Sequence, residues 1–79
     1  MVLSTAHANA KLETLAEYEG FADVDALLAA ASTDSISPGI CVTIGCDYTC
    51  DVEPDQEHGW CESCGTQTVQ SALILAGLI

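Results

Sequence analysis

Five cysteines stand in a chain of 79 residues, and four of them pair by spacing. Cys41 and Cys46 form one arm, C-x4-C. Cys61 and Cys64 form the other, C-x2-C, with fourteen residues between the arms. Short arms of this kind let two turns aim four thiolates at one ion. Thiolates are soft donors, and a tetrahedron of four suits zinc or iron. The predicted metal ligands are therefore Cys41, Cys46, Cys61 and Cys64. Gly45 precedes Cys46 and Gly65 follows Cys64, so backbone N–H groups can approach the sulfurs.

Cys50 is the remaining thiol. It shares strand parity with Tyr48 and Val52, which reads as a small buried hydrophobe. A substitute ligand and a reactive free thiol are the alternatives. Trp60, next to Cys61, is expected to pack over the site and limit water, with a binding hot spot as the alternative. His58 reads as a surface residue and His7 carries no motif. Neither has a serine or cysteine partner at a spacing that supports a catalytic pair. Asp51, Glu53, Asp55, Glu57 and Glu62 read as a solvated face, and the calcium-loop spacing is absent. No enzymatic activity is expected, because four protein sulfurs leave a metal no open position for a reacting water.

Those ligands need supporting elements. A chain this short buries a modest share of its surface, and a metal often makes up the difference. Hydrophobic residues make up 49%, too many for a disordered chain. Residues 4 to 31 read as helical, capped by Ser4 or Thr5 and broken at Gly20. Asp23 then caps a second helix whose Val24, Leu27, Leu28 and Ala31 follow i, i+3, i+4, i+7. Ser37-Pro38-Gly39 reads as a turn or linker. The division expected is a helical arm over residues 1–36 and a four-cysteine module over 37–79.

Within that module, Tyr48 to Glu53 alternates as a strand, residues 54–59 turn, and Trp60-Cys61 returns, which predicts a β-hairpin. The apolar run 69–76 favours a helix over a strand, with Thr66 or Thr68 as cap and Gly77 as stop. Leu73, Leu75, Leu78 and Ile79 would then cover the hairpin or meet Leu27 and Leu28.

One Lys, no Arg and twelve acidic residues give a formal net charge of −11. Four thiolates and a divalent cation would deepen it. Such a surface repels phosphate, so neither nucleic acid nor an anionic membrane is an expected partner. A protein partner, and by charge a basic one, is. Nothing in the sequence sets the oligomeric state. Met1-Val2-Leu3 opens no basic or long apolar leader, and five thiols without one fit a reducing cytoplasm.

The two cysteine arms resemble the knuckles of a zinc ribbon, across about half the chain. The longer stretch from Pro38 through Gln56, with Gly59 to Gly65 and Ser71 to Leu73, looks like a group of small bacterial and phage-associated proteins with no assigned function. Trp60-Cys61-x-x-Cys64-Gly65 after an acidic turn is similar to the second knuckle of rubredoxin. The C-x4-C arm, the shortened interval and the helical arm depart from rubredoxin. These resemblances imply a small α+β metal-stabilised domain with zinc-ribbon- or rubredoxin-like knuckles, a β-hairpin, N-terminal helices and a short C-terminal helix. They imply a structural zinc protein acting as a protein–protein interaction module, or alternatively an iron electron-transfer protein.

Overall fold

The computed structural model describes residues 4–79. Met1-Val2-Leu3, on which the leader reading began, lie outside the described residues. The order is α1 (Thr5–Glu19), α2 (Val24–Ala31), β1 (Ser37–Cys41), β2 (Thr49–Val52), β3 (Gly59–Cys61), β4 (Thr66–Ser71) and α3 (Ala72–Leu75).

Local chemistry sets the helix ends. The Ser4 side chain accepts from the His7 amide at the start of α1. At its end Gly20 adopts a φ of +80°, which favours glycine, and the next amide, of Phe21, returns to the Ala16 carbonyl. Asp23 caps α2 by accepting from the Ala26 amide at 2.8 Å. Such a cap contributes about 1 kcal/mol. Both helices thus start and stop where the sequence places them.

The four strands form one antiparallel sheet in the order β2-β1-β4-β3. Its strands have two faces because successive side chains alternate. Ile40 packs with Leu12, Leu15, Leu27, Ala31, Val42, Ala72, Leu73 and Leu75 in the main core, on the side of the helices. Its neighbour Cys41 instead joins Cys61 and Val69 in a second cluster, with Cys46, Tyr48, Cys50 and Val52 against it. One strand therefore divides a hydrocarbon core from a sulfur-bearing one. Leu15 and Leu27 have no exposed surface, and each such burial is worth about 1.5–3 kcal/mol.

Three expectations are corrected. Tyr48–Glu53 and Trp60-Cys61 do not pair as a hairpin: β2 and β3 lie on opposite edges with β1 and β4 between them. The inner places go to β1 and β4, whose paired stretches Gly39–Cys41 and Val69–Ser71 are buried. The segment joining β2 to β3 crosses the sheet end instead of folding back. Ser71 secures it, with its hydroxyl donating to the Pro54 carbonyl and its amide to the Gln56 carbonyl at 3.0 Å.

Ser37-Pro38-Gly39 is strand, not turn. Pro38 pairs with Asp51 of β2 before β4 joins at Gly39. Its missing N–H therefore breaks no bond on the β4 side. The third correction concerns 69–76, which is half strand and half helix. β4 runs to Ser71, and Ser71 rather than Thr66 or Thr68 caps α3 by accepting from the Ile74 amide at 3.1 Å. Gly77, at φ +72°, ends it as expected. Leu73 and Leu75 join the core with Leu27, whereas Leu78 and Ile79 are exposed.

Candidate metal centre

Each cysteine arm is a turn attached to a strand. Cys41 ends β1, and its amide donates to the Tyr48 carbonyl at 2.9 Å. The chain then tightens so that the Cys46 amide reaches the Thr43 carbonyl at 3.1 Å, with Gly45 at φ +86°. Cys61 ends β3, and the Gly65 amide closes the second turn on the Cys61 carbonyl at 2.8 Å. Gly65 has a φ of +69°. An L side chain at either glycine would strain the turn that aims the sulfur beside it.

The two turns meet. The sulfurs of Cys41, Cys46, Cys61 and Cys64 lie within 4.8 Å of one another. Cys41 Sγ is 3.9 Å from Cys64 Sγ, and Cys46 Sγ is 3.7 Å from Cys61 Sγ. Sulfurs each about 2.3 Å from a central zinc define a tetrahedron with edges of about 3.8 Å. The two cross-arm distances fit that figure. All five cysteines are free thiols.

The surroundings are asymmetric. Cys41 and Cys61 have no exposed surface, Cys46 is half-buried and Cys64 is exposed. Donors reach the buried pair. The Thr68 hydroxyl lies 3.1 Å from Cys41 Sγ, and the Cys64 amide donates to Cys61 Sγ at 3.3 Å. Burial works to raise the Cys41 pKa, but hydrogen bonds from the Thr43 and Thr68 hydroxyls and the Thr43 amide prevail and bring it down to about 6. Burial pushes Cys61 up against the opposing Cys64 amide. The Cys46 thiol, and then burial, push Cys64 up to about 12. Cys41 thus ionises more readily than Cys61 or Cys64.

Cys50 packs against Cys41, Cys61 and Val69 and is not one of the four converging sulfurs. Burial, then the Asp51 carboxylate, raise its pKa and keep it a neutral thiol. That environment matches the small-hydrophobe reading.

Trp60 is not a cover. It is 56% exposed, while Gly59 and Cys61 on either side are buried. Strand parity explains this, since a residue next to Cys61 faces away from it. His58 is exposed, as are Asp51, Glu53, Asp55, Glu57 and Glu62.

Two features escaped sequence reasoning. Thr68, considered there only as a helix cap, shares a hydrogen bond with the Cys41 sulfur. His7 and Lys11 of α1 reach the first cysteine turn: His7 Nε2 is 2.7 Å from the Val42 carbonyl, and Lys11 Nζ donates to the Thr43 and Cys46 carbonyls. The one available signal was that Lys11 is the only Lys or Arg in the chain.

No described helix is long and apolar enough to cross a membrane. No protein-family model, curated protein or solved structure matches the chain.

Proposed function

We propose that Cys41, Cys46, Cys61 and Cys64 hold one zinc ion, and that the protein is a structural zinc module that engages a protein partner. The observation that carries the metal reading is the convergence of four sulfurs from two turns within 4.8 Å, two of the distances across the arms matching a zinc tetrahedron. Zinc supplies folding energy to such a site. The chain's part is to aim the thiolates with the two glycine turns and to offset their charge with the Thr68 hydroxyl and Cys64 amide. With all four positions taken by sulfur, the role is structural rather than enzymatic.

The partner is inferred from charge. A chain at −11 whose one Lys is buried presents a surface that attracts basic protein segments and repels nucleic acid and anionic lipid. Five free thiols suit a reducing cytoplasm. The second reading is iron on the same sulfurs with electron transfer, and the exposure of Cys64 is the observation on its side.

Elemental analysis of protein from its native cell tests the metal. One zinc per chain and no colour is expected. Red protein with iron and a reversible redox couple supports the second reading, and metal-free protein that remains cooperatively folded overturns both. Capture from native extract at low and high salt tests the partner, with salt-sensitive recovery of a basic protein expected.

A further inference from the structure

Lys11 lies on α1 and is 6% exposed. It is the only Lys or Arg among 79 residues. Its ammonium group has three protons and three acceptors: the Thr43 carbonyl at 2.9 Å, the Cys46 carbonyl, and Asp47 Oδ1 at 3.4 Å. All three belong to the first cysteine turn, and one is the carbonyl of a candidate ligand. One helical turn earlier, His7 Nε2 lies 2.7 Å from the Val42 carbonyl. The helix therefore grips the Val42–Asp47 loop at its start, middle and end.

The position is costly without a purpose. A buried ammonium loses hydration, which only well-placed acceptors and negative charge restore. Negative charge is plentiful over the rest of the surface, with twelve acidic residues available to a lysine. The lone cation is instead placed behind the turn that presents Cys46. Four thiolates around a divalent cation carry a net charge of −2, and a cation seated on the turn that carries one of them partly offsets that charge.

We propose that Lys11 is a positioning residue of the metal centre, coupling metal occupancy to the docking of α1. It fixes the Thr43–Cys46 turn through its carbonyls and adds the one positive side chain near a negative centre. This rests on the metal reading above. Coupling is reciprocal: if Lys11 favours the metal-bound turn, metal favours the docked helix.

The test is zinc affinity of the full chain, measured by competition with a chromophoric chelator, for the wild type, Lys11→Met, Lys11→Gln and Thr14→Ala. Thr14 lies on the same helix, and its hydroxyl bonds only to the Ala10 carbonyl, so it controls for helix stability. Lys11→Met is expected to weaken zinc binding roughly 10- to 100-fold, the range for residues that orient ligands. Lys11→Gln keeps donors without charge and is expected between Lys11→Met and wild type, while Thr14→Ala stays near wild type. Should Lys11→Met fail to fold, the milder Lys11→Gln decides: wild-type affinity there overturns the proposal. So does equal loss in Thr14→Ala and the Lys11 variants. Wild-type protein that takes up no zinc sinks the metal reading and this one with it. Wild-type uptake with undiminished affinity in the Lys11 variants sinks this one alone.

Discussion

The Thr68 hydroxyl lies 3.1 Å from Cys41 Sγ, and a second hydroxyl, of Thr66, lies 3.0 Å from Thr68. Thr68 belongs to β4 and Cys41 to β1, adjacent strands of the sheet. Strand pairing thus brings a hydroxyl of β4 to a buried sulfur on β1, beside the Thr43 groups of that sulfur's own turn. Thr68→Val keeps the shape and removes the donor. The Cys41 thiol should then titrate higher, protons should compete better with metal, and zinc affinity at neutral pH should fall by up to about tenfold. Chelator competition checks this, and unchanged affinity would show that the hydroxyl contributes nothing.

Cys50 and Cys61 separate core from ligand. Cys61 has no exposed surface and its sulfur lies 3.7 Å from that of Cys46. Cys50 packs beside the cluster without joining it. Cys61→Ser should lose stoichiometric metal and unfold the sheet, since removing one ligand of four also strands the others. Cys50→Ser should keep one metal per chain at a modest cost in melting temperature. Metal analysis of both variants decides, and loss of metal from Cys50→Ser would mean the ligand set is misassigned.

Gly39 faces a space already filled. A Cβ there would sit 2.8 Å from Val52 Cγ2, 3.0 Å from Val69 Cγ1 and 3.1 Å from the Gln70 carbonyl. The valine methyls can shift a little, but the carbonyl belongs to the paired strand β4 and cannot. Gly39→Ala should destabilise the fold by about 1–3 kcal/mol, the usual cost of overpacking. The melting temperature should fall while metal stoichiometry remains at wild type, because none of the three atoms that a Cβ would crowd is a sulfur. A melting temperature equal to wild type would show that β1 and β4 are less closely packed than their register implies.

The sequence disclosed what local chemistry decides. Ser4, Gly20, Asp23 and Gly77 each act within a few residues, so both long helices and the last stop were legible. The cysteine arms were legible for the same reason, since each turn is short and marked by its own glycine. Strand partners were not. Tyr48–Glu53 and Trp60-Cys61 follow one another with a turn between them, which is what a hairpin looks like in one dimension. The winning arrangement depends on Gly39-Ile40-Cys41 and Val69-Gln70-Ser71, thirty residues apart, being the stretches the core can bury on both sides. Lys11 was opaque for a related reason: its three acceptors lie more than thirty residues away.

If the four sulfurs hold a metal as proposed, protons should compete with it, and the sign follows from the individual sulfurs. Cys41 is lowered to about 6, so near neutral pH it is already about nine-tenths thiolate. Cys64 is raised to about 12, so a metal would have to displace its proton. Affinity should therefore rise with pH through the neutral range, and it should fall more steeply below about pH 6, where Cys41 is protonated as well. For the metal-free fold the two sulfurs act oppositely. The Cys41 value lies below the ordinary 9.0, so its contribution to stability is complete above pH 9 and lost as pH falls through about 6. The Cys64 value lies above 9.0, so its contribution is complete below pH 9 and lost as pH rises toward 12. Calorimetric zinc titration in buffers of different ionisation enthalpy counts the protons released. About one more should be released near pH 5 than near pH 7, and that extra proton belongs to Cys41. An equal count at both values would show that Cys41 is not a preformed thiolate, and that the Thr43 and Thr68 hydroxyls do not overcome its burial.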